Sequence, residues 1–161
     1  MTESPEELVL YAQDDLHVWH EPKPGYSIFG SYVGRALLTS RRFLFLSTGT
    51  SGAARRALAA AALGPLGAAA FGKTPTSQLD LSALAHEGSL EVPLGRVREH
   101  GAHRRWDLAT YVRLEHVTER GEPASCAFMP KNSLLWGGAR AWADTIAGAR
   151  APFAAGPYRS A

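Results

Sequence analysis

Six histidines, one cysteine and several adjacent basic pairs carry most of the reactive chemistry in this chain of 161 residues. His17 and His20 lie three apart, an odd spacing that sends two side chains of a strand to opposite faces. His100 and His103 flank Gly101-Ala102, which reads as a turn across which the two rings could converge. A metal centre needs three or four ligands and a second shell to orient them, so the expectation is no metal and no cofactor. Cys126 alternates with Phe128 on an inward face, the setting of a buried inert thiol. A single cysteine excludes an internal disulfide and a zinc site built from several thiolates. The sequence holds no G-x-S-x-G, H-E-x-x-H or phosphate-loop pattern. Glu6-Glu7 and Asp14-Asp15 read as solvated turn carboxylates, and the chain is expected not to be an enzyme.

The basic pairs point to a different chemistry. Arg41-Arg42, Arg55-Arg56 and Arg104-Arg105 occur with Lys23, Arg35 and Lys73. Arg41, Arg42, Arg55, Arg56 and Lys73 are candidate contacts to an anionic surface, where each basic residue near a charged membrane contributes about 1 kcal/mol. Against this stands the bland reading of scattered solvated arginines, since 17 basic residues face 15 acidic ones for a net charge of +2. That balance also argues against a nucleic-acid partner, which selects a concentrated basic face. Candidate apolar contacts are Leu58, Leu63, Leu66 and Phe71. Trp142 reads as core, and Trp136 as an exposed aromatic near a helix start or a ring packed over a rim.

The elements that position these residues follow from periodicity. Leu8–Tyr11 and Leu16–Trp19 are short apolar runs separated by a turn or bulge at Gln13-Asp14-Asp15. Pro22, Pro24 and Gly25 break the next stretch. Tyr32–Thr39 alternates as a strand, Thr39–Arg42 is a short hairpin connection, and Phe43–Leu46 is a strand covered on both faces or ending under an insert. These strands are expected to be antiparallel, because no connection is long enough for a parallel crossover.

From Ser51 to Gly72 the chain turns alanine-rich, which predicts helix over Ala53–Leu63, broken at Gly64-Pro65, with a second short piece at Leu66–Phe71. Ala57–Gly72 is uncharged for 16 residues, short of the roughly 20 needed to span a bilayer. Asp80 is placed to cap a short helix over Leu81–His86, stopped by Gly88. Residues 51–88 read as an insertion between strands, with too few large apolar side chains for a core of its own. Three uses compete for it: covering an open strand edge, pairing with the same segment of another chain, or dipping into a membrane surface.

Strand signals resume at Leu90–Leu94 and run through Val97. Leu108–Val117 alternates clearly, with Leu108, Thr110, Val112 and Leu114 on one face. Arg120–Pro123 turns the chain into a strand over Ala124–Met129. A helix over about Ser133–Ala147 carries Leu135, Ala139, Trp142, Ala143 and Ile146 on one apolar stripe, and Gly148 and Pro152 are expected to end it. Residues 151–161 read as a flexible tail on a single domain of residues 1–150.

About seven strands followed by one amphipathic helix suit a strongly bent sheet whose open end the helix closes. The segment Gly34-Arg35-Ala36-Leu37-Leu38-Thr39-Ser40-Arg41-Arg42-Phe43-Leu44-Phe45 resembles a hairpin of bacterial pleckstrin-homology-like (PH-like) and GRAM-like domains. Val92-Pro93-Leu94 with Val97 is similar to their following strand, Glu7–Leu10 to their first strand, and Trp142 with Ile146 to the helix that plugs their barrel. The resemblance spans most of residues 6–148 and is interrupted by the alanine-rich insertion. It implies a mainly β fold with α: a bent barrel of two nearly orthogonal sheets, capped by the C-terminal helix.

It leaves the ligand open, because one fold hosts lipid, peptide and protein partners alike. Phosphoinositide-binding members carry several basic residues after the first strand, where His20–Tyr26 offers one lysine beside a glutamate. The expected function is a non-catalytic binding or adaptor domain that associates with a protein partner or with itself. The alternative is peripheral binding to anionic lipid through the basic pairs and the insertion. The opening residues lack a secretory pattern, so the expected location is cytoplasmic, with the inner face of the membrane as the alternative.

Overall fold

The computed structural model describes residues 6–20, 31–50, 75–105, 108–130 and 136–154. Seven antiparallel strands form one sheet: β1 (Val9–His20), β2 (Tyr32–Thr39), β3 (Arg42–Thr50), β4 (Leu90–Pro93), β5 (Val97–Arg104), β6 (Thr110–Val117) and β7 (Pro123–Met129). Their spatial order is β4-β3-β2-β1-β7-β6-β5. The two end strands, β4 and β5, are joined by a single 3-10 turn at Leu94–Arg96, so the sheet must curl until its edges approach. The helix α1 (Trp136–Ala154) packs on β5, β6, β1 and that turn.

The two apolar runs at the start are one strand, not two. The Gln13-Asp14-Asp15 signal is a β-bulge between Gln13 and Leu16 in the β1–β2 ladder. Asp15 takes a positive φ of 59° there, a conformation that Asp tolerates better than most residues. The extra residue changes which side chains point inward. Tyr11 and Gln13 meet Trp142 before the bulge, whereas Leu16 and Val18 enter the core after it.

The inner face is filled by large side chains, with Trp142, Phe43, Phe45, Phe128, Leu16, Leu38, Leu94, Leu114 and Ile146 fully buried. Trp142 lies at the centre of their aromatic contacts. Its ring meets Tyr11, Phe128 and Phe43 edge-on at 4.6, 5.1 and 6.1 Å, the T-shaped geometry favoured by ring quadrupoles. Its Nε1–H donates to Gln13 Oε1 at 2.8 Å, which satisfies the one polar atom that the indole carries into the core.

The Phe43–Leu46 run is covered on both faces, as its continuous apolar character predicts. Phe43 and Phe45 point into the core, while Leu44 and Leu46 join Val9 and Leu37 on the outer face. There Leu79, Leu81, Ala83 and Leu84 pack over them, from 3-10 turns at Thr76–Gln78 and Ser82–Ala85. The expected helix over Leu81–His86 is a shorter 3-10 turn with Leu81, not Asp80, at its N-cap, and Asp80 Oδ1 accepts the Ser82 N–H at 2.9 Å just ahead of it. The last part of the expected insertion, from Pro75 to Gly88, therefore forms a second layer over β1–β3. The alanine-rich part lies outside the described residues.

Three expectations are corrected. His100–His103 is not a turn but part of β5, because pairing with β6 continues through Gly101↔Arg113 and His103↔Tyr111. The reversal comes later, closed by Arg105 N–H to Ala109 O at 2.8 Å. Leu108 belongs to that reversal with φ at 68° and 58% exposure, and does not share the buried face of Thr110, Val112 and Leu114. Finally, α1 passes through Gly148 and Pro152 to Ala154, taking in residues 151–154. Ala149 is buried and Arg150 Nη2 donates to the Arg98 carbonyl at 2.8 Å, so tertiary contacts hold the turn containing Gly148. Pro152 lies in the final turn, where its missing N–H removes one peripheral bond.

Replacing Trp142 by alanine removes the central ring of the core and is expected to cost about 3–5 kcal/mol. Trp142→Phe keeps most of the packing but strands the Gln13 amide, and should cost less than the alanine. The midpoints of chemical denaturation measure both.

Candidate functional site

The hairpin between β2 and β3 carries the two sequence-predicted basic contacts that fall among the described residues, and it treats them differently. Thr39 ends β2, and its hydroxyl oxygen accepts the N–H groups of Arg41 and Arg42 at 3.1 and 2.9 Å. The same hydroxyl donates to Glu7 Oε1. Arg42 then lays its guanidinium across two carboxylates, with Nε and Nη2 on Glu7 at 2.9 and 3.0 Å and Nη1 on Glu91 at 2.8 Å. Thr76 adds a hydroxyl contact to Glu7 at 3.4 Å, and its backbone N–H meets the Glu7 carbonyl at 2.9 Å. Arg42 thus ties the entry to β1, the hairpin and β4 together, with the outer layer joined through Glu7. Arg41, one residue earlier, is exposed at the hairpin tip.

The electrostatics agree with a structural role for Arg42. Burial pushes the Glu7 carboxyl upward, but hydrogen bonds from Thr39 and Arg42 and the Arg42 charge outweigh it and hold the group below the usual glutamate value. Burial likewise opposes the Arg42 charge, and the bonds and charges of Glu91 and Glu7 more than restore it. Gly34, at the start of the same motif, sits where the β2 and β3 backbones close in. A Cβ there would fall 2.0 Å from the Leu46 carbonyl oxygen.

Other described arginines are also engaged within the chain. Arg35 is 4% exposed and pairs with Asp14 of the bulge through Nε and, at 3.0 Å, through Nη2. Arg113 meets Glu115 at 3.1 Å, Arg96 meets Glu119 at 3.6 Å, and Arg150 holds the Arg98 carbonyl. Arg55, Arg56 and Lys73 lie outside the described residues, as do Leu58, Leu63, Leu66 and Phe71. The side chain of Trp136 also lies outside them.

The histidines are arranged differently from the sequence expectation. His100 and His103 do not converge, because they stand an odd number apart on β5. His103 stacks on Tyr111 at 5.4 Å, while His100 Nδ1 lies 3.4 Å from Arg150 Nη1. Burial and then the Arg150 charge hold His100 below the usual histidine value, against a weaker upward pull from Glu99. Among the described residues, no three His, Cys, Asp or Glu side chains are grouped to hold a metal ion. Cys126 is buried, and desolvation pushes its thiol up to about 12, far from the range of a reactive thiolate.

A cluster that sequence reasoning missed lies at the end of the barrel where β1 finishes. His20 Nε2 donates to the Gly88 carbonyl at 2.9 Å, and its ring meets Tyr32 edge-on at 5.5 Å. Tyr32 donates its hydroxyl to Glu87 at 3.2 Å. Gly88 holds φ at 84°, and a Cβ on it would fall 2.1 Å from the Tyr32 ring, so only glycine fits beneath that ring. The only sequence signal for this grouping was the period-two placement of His20 with Val18 and Leu16. Gly88 lies 68 residues from His20 in sequence and meets it only through the fold.

No protein-family model matches the sequence, and no curated protein matches it. Among solved structures the chain is similar to the Vps36 N-terminal PH domain, with a TM-score of 0.53 and 11% identity, over 93% of this chain and 83% of that one. The fold is therefore PH-like: mainly β, with seven antiparallel strands and a C-terminal helix. Among the described residues no helix is long and apolar enough to cross a membrane.

Removing the Arg42 charge with Arg42→Gln should cost about 1.5–3 kcal/mol, the range of hydrogen bonds to charged groups, and clearly more than Arg41→Gln. Glu7→Gln should approach the same loss at neutral pH. Because the Glu7 carboxyl is held below its ordinary value of 4.5, its contribution is complete above that pH and disappears as pH falls further. Denaturation midpoints of wild type and Glu7→Gln should therefore converge in acid.

Proposed function

We propose that this chain is a non-catalytic binding or adaptor domain that works through its outer surface, by association with a protein partner or with a second copy. The observation that carries this reading is the interior. Trp142, Phe43, Phe45 and Phe128 fill the space between sheet and helix, so a ligand must dock outside the barrel. A hollow carrier would need a cavity in that position.

Protein association is preferred to lipid binding because of what the arginines do. Arg35, Arg42, Arg96 and Arg113 meet carboxylates of the same chain. An anionic headgroup would have to compete with partners already in place, and one guanidinium cannot hold a multiply charged headgroup without further donors. The PH-like fold accommodates binding functions of this kind, and a GRAM-like member acting in the cytoplasm fits the same reading. The lipid alternative rests on Arg41 at the hairpin tip together with Arg55, Arg56, Lys73 and the apolar residues of the insertion.

Vesicle co-sedimentation with anionic and neutral lipids at two salt concentrations, paired with sedimentation of the free chain, tests the proposal. The expected result is no salt-sensitive pelleting with anionic vesicles, with a mass above the monomer if the association is with a second copy. Salt-sensitive binding to anionic vesicles by a monomer would overturn it in favour of the peripheral membrane reading.

A further inference from the structure

The register places two histidines on the inward face at one end of the barrel. His20 pairs with Cys126 of β7, and His116 of β6 pairs with Ala124, one same-face rung further along β7. Leu16 and Val18 precede His20 on the inward face of β1, and Leu114 precedes His116 on that of β6. Both histidines therefore stand at the mouth, next to the β6–β7 turn and the segment that enters β4. His116 is 9% exposed, and its Nδ1 is buried without a hydrogen-bond partner among the described residues. His20 is exposed and latched to the segment ahead of β4 through the Gly88 carbonyl and the Tyr32 ring.

We propose that His20 and His116 form a proton-sensitive latch, in which charging His116 in mild acid opens the barrel mouth and frees residues 86–89 from the end of β1. A charged imidazole cannot stay buried with an unpaired nitrogen. It also cannot sit beside a second charged ring without repulsion. Repulsion between the two charged rings pushes His20 outward, and that breaks its bond to Gly88 and its contact with Tyr32.

Among the described residues the surrounding groups do not offer His116 a counter-charge. On β5 it faces Val97, with Arg98 and Glu99 next along the strand, and on β7 it faces Ala124, between Glu122 and Cys126. Arg96 and Glu119 pair with each other beside the turn, and Glu87 is held by Tyr32. Burial comes first among the causes that hold His116 below the usual histidine value, and the His20 charge second. A basic group held low stabilises the closed form above its ordinary pKa and loses that contribution as pH falls toward the folded value, up to about tenfold in the opening equilibrium per pH unit.

Amide hydrogen exchange expressed as protection factors, which removes the intrinsic pH dependence, tests the latch in the full chain. Protection over residues 86–89 and 117–123 should fall between pH 7 and pH 5.5, at most about tenfold for one proton, and should stay level in His116→Leu. His100, held low at the helix end, makes global stability fall in the same window, so the readout must be local to the mouth. Should His116→Leu not fold, His20→Gln keeps a donor for the Gly88 carbonyl and serves in its place. In that variant the His116 ring, followed by NMR, should titrate at higher pH than in wild type. Protection at the mouth that does not change with pH in wild type, a slope that persists in His116→Leu, or a His116 titration indifferent to His20→Gln would each overturn the latch.

Discussion

A seven-stranded antiparallel sheet with two free edges and one apolar face cannot stand alone in water. Here β4 and β5 are the edges, and the short turn at Leu94–Arg96 between them forces the sheet to curl. Curling leaves an opening that only a large side chain can fill, and Trp142 fills it. Its ring touches residues from β1, β3 and β7 at once, and its N–H is answered by Gln13 from the bulge. The bulge and the helix stripe both serve that one burial. Ala139, Ile146 and Ala149 continue the same stripe on either side of it.

The second constraint is electrostatic and lies outside the core. Glu7, Thr39, Arg42, Glu91 and Thr76 form a polar clasp that joins segments distant in sequence. Because such a clasp is only partly shielded from solvent, its energy is smaller than that of the core, yet it fixes register where burial alone would not. It also shapes the surface chemistry. A basic pair that looked like a single patch is divided into one structural guanidinium, Arg42, and one exposed residue, Arg41. The reading as a protein-binding surface follows from that division together with the filled interior.

Much of the architecture was legible in the sequence. Period-two alternation located β2, β6 and β7, and spacings of three and four located the helix and its inward Trp142. The continuous Phe43–Leu46 run announced a strand covered on both faces, and residues 79–84 supply the outer cover. What misled was local chemistry overruled by pairing. Gly101-Ala102 looks like a turn in isolation, but the β5–β6 ladder holds it extended, and Gly148 and Pro152 look like a stop until Ala149 and Arg150 find partners. The candidate site was less legible. That Arg42 would face Glu7 and Glu91, 35 and 49 residues away, and that His20 would meet Gly88, are facts of long-range register. No short motif encodes them.

The dependence of the whole barrel on the helix is open to a direct measurement. A chain ending at Pro130 lacks everything from Ser133 onward, and with it the ring that closes the curl. Thermal unfolding of that chain, followed by circular dichroism beside the full-length protein, should show no cooperative transition. A truncated chain that still melts in one sharp step would contradict the plug and leave the curl of the sheet to be explained by the strands alone.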